Sequence, residues 1–397
     1  MYPDSIVQSF HTYFKTAPTL VLRSPGRINL IGEHTDYNGG FVLPAAIDKA
    51  VFFAINVRED DECHFVSYDL NENFQTSLSN LKKNDAYSWA NYLMGVIDEV
   101  KKAIPDASVL RGINLVFGGN LPNGGGVSSS AAIENGIGFA LNQLFNLGLS
   151  RMDLVKISQK AENNFVGMKC GVMDMFASMM GKANQVIRID CRSLEYEYFP
   201  FSTDSNTDEV PDYYLVLCNT MVKHSLVDSE YNTRRAECEE GVSILQKYDP
   251  SVKLLRDVPF SLLNAHKNEM RSVVFKRCKY VVEEIERVEK ACKALKDNDL
   301  KEFGKLMYRT HEGLQHEYEV SCAELDFLVD QTYTESGVLG SRMMGGGFGG
   351  CTINLVKGDE ADGFIERIKE AYQERFNIDM PCYKVVLTNG TEEIAIF

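Results

Sequence analysis

The sequence predicts an α+β protein of two lobes, and three observations carry that expectation. Strand-like and helix-like segments alternate in type along the chain. After Pro200 comes a polar stretch, 202–212, dense in Ser, Thr, Asp and Asn, which is the best domain boundary on offer. The chain has 397 residues, and a prior of roughly 150 residues per domain predicts two or three domains. The expected lobes are 1–200 and 201–397.

Residues 19–30 read as a strand interrupted by Pro25-Gly26, and 50–57 as another. In 89–103 the apolar residues Trp89, Tyr92, Leu93, Val96, Ile97 and Val100 recur at helical spacing. Residues 112–117 look like a strand, followed by a glycine-rich turn and a helix over 128–145 rich in Ala, Ile and Leu. Ser150-Arg151-Met152-Asp153 has the form of a capping box, in which the serine and the acid three places on satisfy each other's backbone N–H. Beyond the polar stretch the pattern predicts a strand at 213–218, several long helices between 229 and 335, and a strand-helix-strand-strand tail. No internal repeat or low-complexity segment stands out.

At 44% hydrophobic and 24% charged, the composition is that of an ordinary globular protein with enough apolar mass for a core. Acidic residues outnumber basic ones 56 to 41, a formal charge of −15. That balance argues against a nucleic-acid partner, which needs a concentrated basic face. No apolar run of about 18 residues is present to span a membrane, and the start of the chain has neither a basic nor an apolar region of a signal peptide. The nearest of the ten cysteines, Cys278 and Cys292, are fourteen positions apart, so no CxxC motif exists. Reduced thiols and a cytoplasmic location are expected.

Several tempting motifs fail on physical grounds. Gly345-Gly346-Gly347-Phe348-Gly349-Gly350 satisfies GxGxxG, but a dinucleotide fingerprint opens a helix, and here a strand-like run, Cys351 onward, follows. No Walker loop occurs. His311-Glu312 and His316 resemble a zinc pair, but five residues rotate about 140° around a helix, off a common face; surface helix residues are the expectation. The run Ser128-Ser129-Ser130 lacks the strained elbow of a hydrolase nucleophile.

Three clusters hold. Pro122-Asn123-Gly124-Gly125-Gly126-Val127-Ser128-Ser129-Ser130 lies between a strand and a helix. Glycines let backbone N–H groups approach a ligand, and the helix start adds partial positive charge, which together make an anion cradle. A flexible turn with a serine cap explains one Ser, not three Gly and three Ser. In Gly26-Arg27-Ile28-Asn29-Leu30-Ile31-Gly32-Glu33-His34-Thr35-Asp36-Tyr37-Asn38, an apolar run delivers Arg27 and then a tight polar cluster. Carboxylates and an imidazole on one turn can hydrogen-bond several hydroxyls of a polyol. The third cluster is Glu162, twelve residues before Asp174 in Cys170-Gly171-Val172-Met173-Asp174.

Together these segments resemble one family. Residues 26–38 look like the galactokinase signature, 124–131 like the phosphate loop of the wider GHMP small-molecule kinases, and 344–352 like that superfamily's third motif. His224-Ser225-Leu226-Val227-Asp228-Ser229-Glu230-Tyr231 and residues 189–194 also match galactokinases. The resemblance implies a GHMP kinase fold with the active site in the cleft between the lobes, and transfer of a phosphoryl group from ATP to O1 of D-galactose. Carried over residue by residue, it makes Asp174 the proton acceptor for the anomeric hydroxyl, with Arg27 beside it to stabilise the moving charge. Glu33, His34, Thr35, Asp36, Asp174 and Tyr231 would bind sugar. Gly124, Gly125, Gly126, Val127, Ser128, Ser129 and Ser130 would wrap the ATP phosphates, with Ser67 and Trp89 on the adenine side. Ser130 and Glu162 would hold Mg²⁺. Two departures adjoin the site: Met175 where many members have Gln, and Lys223 where many have Arg. The expected partners are sugar and ATP alone, for a monomer. A sibling sugar kinase, acting on N-acetylgalactosamine, arabinose or a uronic acid, stays open as an alternative. So does a sugar-sensing regulator without turnover, although such a protein could dispense with the loop and base present here.

Overall fold

The computed structural model describes residues 2–122, 124–168, 170–201, 212–222 and 227–394. The first half runs α1 (Tyr2–Phe14), β1 (Leu20–Asn29), β2 (Phe41–Val42), β3 (Pro44–Val57), β4 (Glu62–Ser67), β5 (Glu72–Ser77), α2 (Ala90–Ala103), β6 (Ile113–Gly119), α3 (Ser129–Leu144), α4 (Arg151–Ala161), α5 (Met173–Met180), β7 (Gln185–Asp190) and β8 (Tyr196–Pro200). The second runs β9 (Tyr213–Asn219), α6 (Val227–Leu245), α7 (Phe260–Ala265), α8 (Ser272–Lys296), α9 (Leu300–His316), α10 (Ala323–Thr332), β10 (Val338–Met343), β11 (Cys351–Lys357), α11 (Ala361–Phe376), β12 (Cys382–Val385) and β13 (Glu392–Glu393).

Period-two side chains explain how the strands are covered. In the six-stranded sheet, ordered β13-β1-β3-β6-β4-β5, Leu22, Phe53 and Leu115 face a core with α2, α3, α4 and α5. Their neighbours Val21, Phe52 and Val116 point the other way, onto Ile6 and Phe10 of α1. The four-stranded sheet β10-β11-β9-β12 repeats the arrangement. Leu215, Leu217, Ile353 and Leu355 pack with Tyr280, Phe303 and Met307 of α8 and α9, whereas Val216 and Val356 pack with Leu328, Phe364 and Ile368 of α10 and α11. A third sheet, β2-β7-β8, joins the segment after β1 to the end of the first half, with Phe41 opposite Asp190 and Val42 opposite Ile189.

The expected strands and helices form, and the Ser150 capping box closes as predicted, Ser150 Oγ accepting from the Asp153 N–H at 3.1 Å and Asp153 Oδ2 from the Ser150 N–H at 3.0 Å. The elements that the sequence did not mark are α1, β2, the hairpin β4–β5, α5, the pair β7–β8, and β10. The tail is therefore strand-strand-helix-strand-strand. Its last strand returns to the first sheet, with Leu22 opposite Glu393 and Arg23 opposite Glu392. Most of the boundary stretch 202–212, together with Lys223 and His224, lies outside the described residues.

Candidate active site

The site begins at a bulge in β1, where the register with β3 shifts between Pro25 and Arg27. Such bulges bend a strand and re-aim the side chain next to them. Arg27 is buried, and its guanidinium forks onto Asp174: Nε donates to Oδ1 at 2.7 Å and Nη2 to Oδ2 at 2.8 Å. Its Nη1 donates to the Gly126 carbonyl at 2.5 Å. Burial opposes the Arg27 charge, but Asp174, with Glu33 and Asp36 beyond, more than offsets it and raises the guanidinium pKa above its ordinary value. Asp174 sits in the first turn of α5, where the helix dipole favours an anion. Ser128 Oγ donates to its Oδ2 at 2.5 Å. One carboxylate thus receives hydrogen bonds from the sugar signature and from the glycine loop, and its side chain stays 27% exposed toward a cavity.

That cavity, about 550 Å³, is bordered by Glu33, His34 and Asp36 from the loop after β1, Asp174 from α5, Tyr231 from α6 and Gly345-Gly346 after β10. His34 adopts a left-handed backbone, φ 62°, a conformation that a non-glycine residue keeps only where its surroundings enforce it. Its Nδ1 lies 2.8 Å from the Tyr37 hydroxyl, which lies 2.7 Å from that of Tyr318. Burial pushes the imidazole down to about 4, so it is neutral at pH 7. Burial pushes Asp36 up to about 6, the Asp174 and Glu33 charges adding to the effect. Burial, then the Asp36 charge, raises the Tyr231 phenol well above its ordinary value, which leaves it a neutral donor. A Cβ at 171 would lie 1.9 Å from Asp36 Oδ2, so any residue larger than glycine there would displace the Asp36 carboxylate.

The glycine loop does not line the cavity but reaches the Arg27–Asp174 pair through the Gly126 carbonyl and the Ser128 hydroxyl. Gly126 has φ +68°, and Ser128 takes the left-handed conformation, φ 59°. In that conformation its hydroxyl turns to Asp174 instead of capping α3. No side-chain cap therefore engages the first-turn N–H groups of this 16-residue helix, a geometry suited to phosphate oxygens. Ser130, in that turn, lies close enough to the Glu162 carboxylate to favour its charged form. Glu162 opens a single π-helical turn after α4, an irregularity frequent at functional sites. Cys170 Sγ donates to Glu162 Oε2 at 3.0 Å. Burial, followed by the Asp174 charge, raises the Glu162 pKa. One turn beyond Ser130 on α3, Glu134 is fully buried and neither carboxyl oxygen has a hydrogen-bond partner among the described residues. Burial and the charges of Glu162 and Asp174 push its pKa well up. Among the described residues no three His, Cys, Asp or Glu side chains converge as a metal cage.

Ser67 and Trp89 come together elsewhere, around Phe117. Ser67 is opposite Phe117 in the β4–β6 pairing, and the Trp89 ring lies 5.6 Å from the Phe117 ring. Trp89 Nε1 donates to Glu72 Oε2 at 2.6 Å. Neither residue borders that cavity. Strand β6, which carries Phe117, leads into the glycine loop.

Three expectations meet a different local geometry. Thr35 is fully buried and its Oγ1 donates to the Gly32 carbonyl at 2.9 Å and the Phe41 carbonyl at 2.6 Å, so it closes the turn that presents its neighbours. Met175 is fully buried in the core of the first half and does not border the cavity. His311 is no surface residue: it is 3% exposed, and its Nδ1 accepts from the Met343 N–H at 3.3 Å. The third glycine motif had no assigned role, yet Gly345 and Gly346 border the cavity, as does Asn232 next to Tyr231. Their signal was adjacency to recognised motifs.

Comparison with known proteins agrees with this geometry. Residues 8–57 match the galactokinase galactose-binding signature, 91–182 the GHMP kinases N terminal domain, and 288–374 the GHMP kinases C terminal domain. A galactokinase of Clostridium beijerinckii is 42% identical over 381 residues, covering 94% of each chain. One of Clostridium acetobutylicum is 41% identical over 396 residues, covering 98% of each. The crystal structure of Lactococcus lactis galactokinase complexed with galactose superposes with a TM-score of 0.92 at 33% identity, covering 99% of this chain and 100% of that one. A mevalonate kinase structure, at 18% identity and a TM-score of 0.63, shares the fold. The chain belongs to the galactokinase family of the GHMP kinases.

Proposed function

We propose that the chain transfers the γ-phosphoryl group of ATP to O1 of D-galactose, with Asp174 and Arg27 acting at the reacting oxygen. The observation that carries this reading is the bidentate Arg27–Asp174 pair, which borders a polyol-sized cavity and is hydrogen-bonded to Gly126 and Ser128 of the glycine loop. Glu33, His34, Asp36 and Tyr231 offer the sugar both acceptors and donors. Backbone N–H groups of Gly124 to Ser130 and the start of α3 receive the phosphates. As the O1–Pγ bond forms and the bond from Pγ to the ADP oxygen breaks, the O1 proton passes to an Asp174 carboxylate oxygen. Arg27, already forked onto that carboxylate, compensates charge on the phosphoryl oxygens; phosphoryl transfer asks mainly for such positioning and compensation.

The corner made by Ser130 and Glu162 fits Mg²⁺, a hard cation that prefers oxygen ligands and keeps several waters. The orphaned Glu134 carboxyl behind it supports that fit, since buried acid there lacks any positive partner among the described residues. When bound, Mg²⁺ supplies charge neutralisation on phosphate oxygens. The same reading makes the enzyme a monomer working in the cytoplasm with small molecules only. A net charge of −15 disfavours nucleic acid, and no described helix is long and apolar enough to cross a membrane.

ADP release measured on a sugar panel at equal concentration tests the reading. Galactose should give the highest kcat/KM, ahead of N-acetylgalactosamine, arabinose and a uronic acid. A faster rival reassigns the substrate, and no turnover with any sugar favours the sensing regulator.

A further inference from the structure

Arg342 lies on β10 with no exposed surface, the largest fully buried side chain in the protein's described part. A charged group so placed must find partners for its N–H groups. Nε donates to the Leu30 carbonyl at 2.8 Å, Nη1 to the Met343 carbonyl at 2.8 Å, and Nη2 both to the Asn29 carbonyl and to Glu33 Oε1, the latter at 2.8 Å. The guanidinium therefore reaches from the second half of the chain to the end of β1 and to an acid of the sugar loop. Three residues along, the Gly345 N–H donates to the same Glu33 Oε1 at 2.9 Å. Both donors belong to one short run ending in the third glycine motif. Glu33 Oε2 has no partner among the described residues, and Glu33 borders the cavity that Arg342 itself does not touch.

We propose that Arg342 is a positioning residue: it and Gly345 occupy Glu33 Oε1 so that Oε2 is presented to one sugar hydroxyl, which ties sugar recognition to the third glycine motif. The proposal rests on the galactose reading of the site. Carbonyl partners alone would satisfy a purely structural arginine. Here one arm is spent on the carboxylate, and that pairing fixes which Glu33 oxygen remains. Lysine cannot replace the arrangement, because one ammonium on a flexible stem cannot bridge three carbonyls and a carboxylate in fixed directions.

The test is Arg342→Lys and Glu33→Gln, each assayed with galactose and with the set of monodeoxygalactoses, at varied ATP. The Arg342→Lys KM for galactose should rise about tenfold or more, the loss expected for one misdirected charged hydrogen bond, while kcat and the KM for ATP change far less. In wild type, removing the hydroxyl that Glu33 receives should be costly. That penalty, and no other, should collapse in both variants. Equal losses for every sugar and for ATP, or an unmoved set of penalties, overturn the proposal. Should Arg342→Lys fail to fold, the sugar-free Tm of Glu33→Gln decides. Loss of the buried partner should lower it, and an unchanged Tm overturns the pairing. If wild type leaves galactose unphosphorylated, the functional reading falls by itself, and the Tm comparison still judges the Arg342–Glu33 pair.

Discussion

The acids of the active site fall into two groups that the fold treats in opposite ways. On the sugar side, Asp174 and Glu33 each face an arginine, Arg27 and Arg342, at hydrogen-bond distance. At the glycine-loop corner, among the described residues, Glu162 accepts from the Cys170 thiol with Ser130 nearby, and Glu134 has no donor. Neither forms an ion pair among the described residues. On the proposed sugar side the two arginines hold these carboxylates in place before any substrate arrives. The loop corner carries uncompensated acid, which a cation delivered with the nucleotide would neutralise. Preorganisation on one side and dependence on a ligand on the other predict different responses to mutation.

The largest effects belong to the paired side. Asp174→Asn keeps the shape and removes the proton acceptor, and general-base catalysis typically contributes about 10²–10⁴-fold. A kcat loss in that range or beyond is expected, with a much smaller change in galactose binding, because the amide still hydrogen-bonds. Retention of more than about a tenth of wild-type kcat, less than that range allows, would replace Asp174 as the base by substrate-assisted transfer. Arg27→Lys should follow at roughly 10–100-fold, the worth of a lost charge-assisted hydrogen bond, since an ammonium cannot fork onto both oxygens of Asp174.

Glu162→Gln probes the unpaired corner. The Mg²⁺ concentration for half-maximal rate should rise about 10–100-fold, as when a group that holds or orients a metal ligand is lost, and the plateau should fall. A titration that superimposes on wild type removes Glu162 from the metal site and breaks the contrast between the two sides.

How much of this was legible in the sequence also differs between the regions. Of the paired acids, Glu33 lies in a dense local motif, where Gly, Arg, Glu, His and Asp crowd into thirteen positions, whereas Asp174 was reached only through the family resemblance. Glu33's partner Arg342 was invisible, because β10 mixes Gly, Ser and Arg with three apolar residues and does not read as a strand. Only tertiary packing buries that arginine. The hairpin β4–β5 escaped for a related reason: β5 is an edge strand whose residues are exposed or half-buried, so no apolar alternation marks it. Thr35 misled in the other direction. Its place inside a functional motif suggested sugar contact, whereas its hydroxyl closes the turn. Motif membership locates a site; hydrogen bonds decide which members face it.

Asp36 sharpens the comparison, since it is the sugar-side acid without an arginine. Asp36→Ala should weaken galactose use about tenfold, as loss of hydrogen bonds to a charged group does, and leave ATP affinity nearly intact; equal weakening of both would reassign the residue. Its pKa of about 6, against an ordinary 3.8, also sets a sign. Between those values the folded protein holds the proton longer than the unfolded chain, so stability from this group falls as pH rises through the window and is fully lost above it. Galactose affinity should move oppositely, weakening below about pH 6 as the acceptor protonates. Asp36→Asn should abolish both trends, and a wild-type KM for galactose that is flat across pH 6 would remove Asp36 as an ionised acceptor.

The smallest expected signal comes from Trp89, which tests how far the nucleotide side extends. It is the only tryptophan, so intrinsic fluorescence reports on one place. Two readings compete for it. In the first, the indole is a packing residue: it stacks obliquely on Phe117, lies near Tyr87, and anchors its N–H on Glu72. In the second, the ring borders the adenine, which the path of β6 from Phe117 into the glycine loop supports. Both readings keep Trp89 off the sugar cavity, so galactose alone should change its emission little. They separate on the nucleotide. A ring beside adenine is quenched when a non-hydrolysable ATP analogue binds, because the base displaces water and can stack on it. A ring held only by Phe117 and Glu72 responds no more to the analogue than to the sugar. Quenching by the analogue that saturates with its binding curve, and is unaltered by saturating galactose, would place the adenine edge at Trp89; a larger response to galactose than to the analogue would confine Trp89 to packing and end the nucleotide side at the glycine loop.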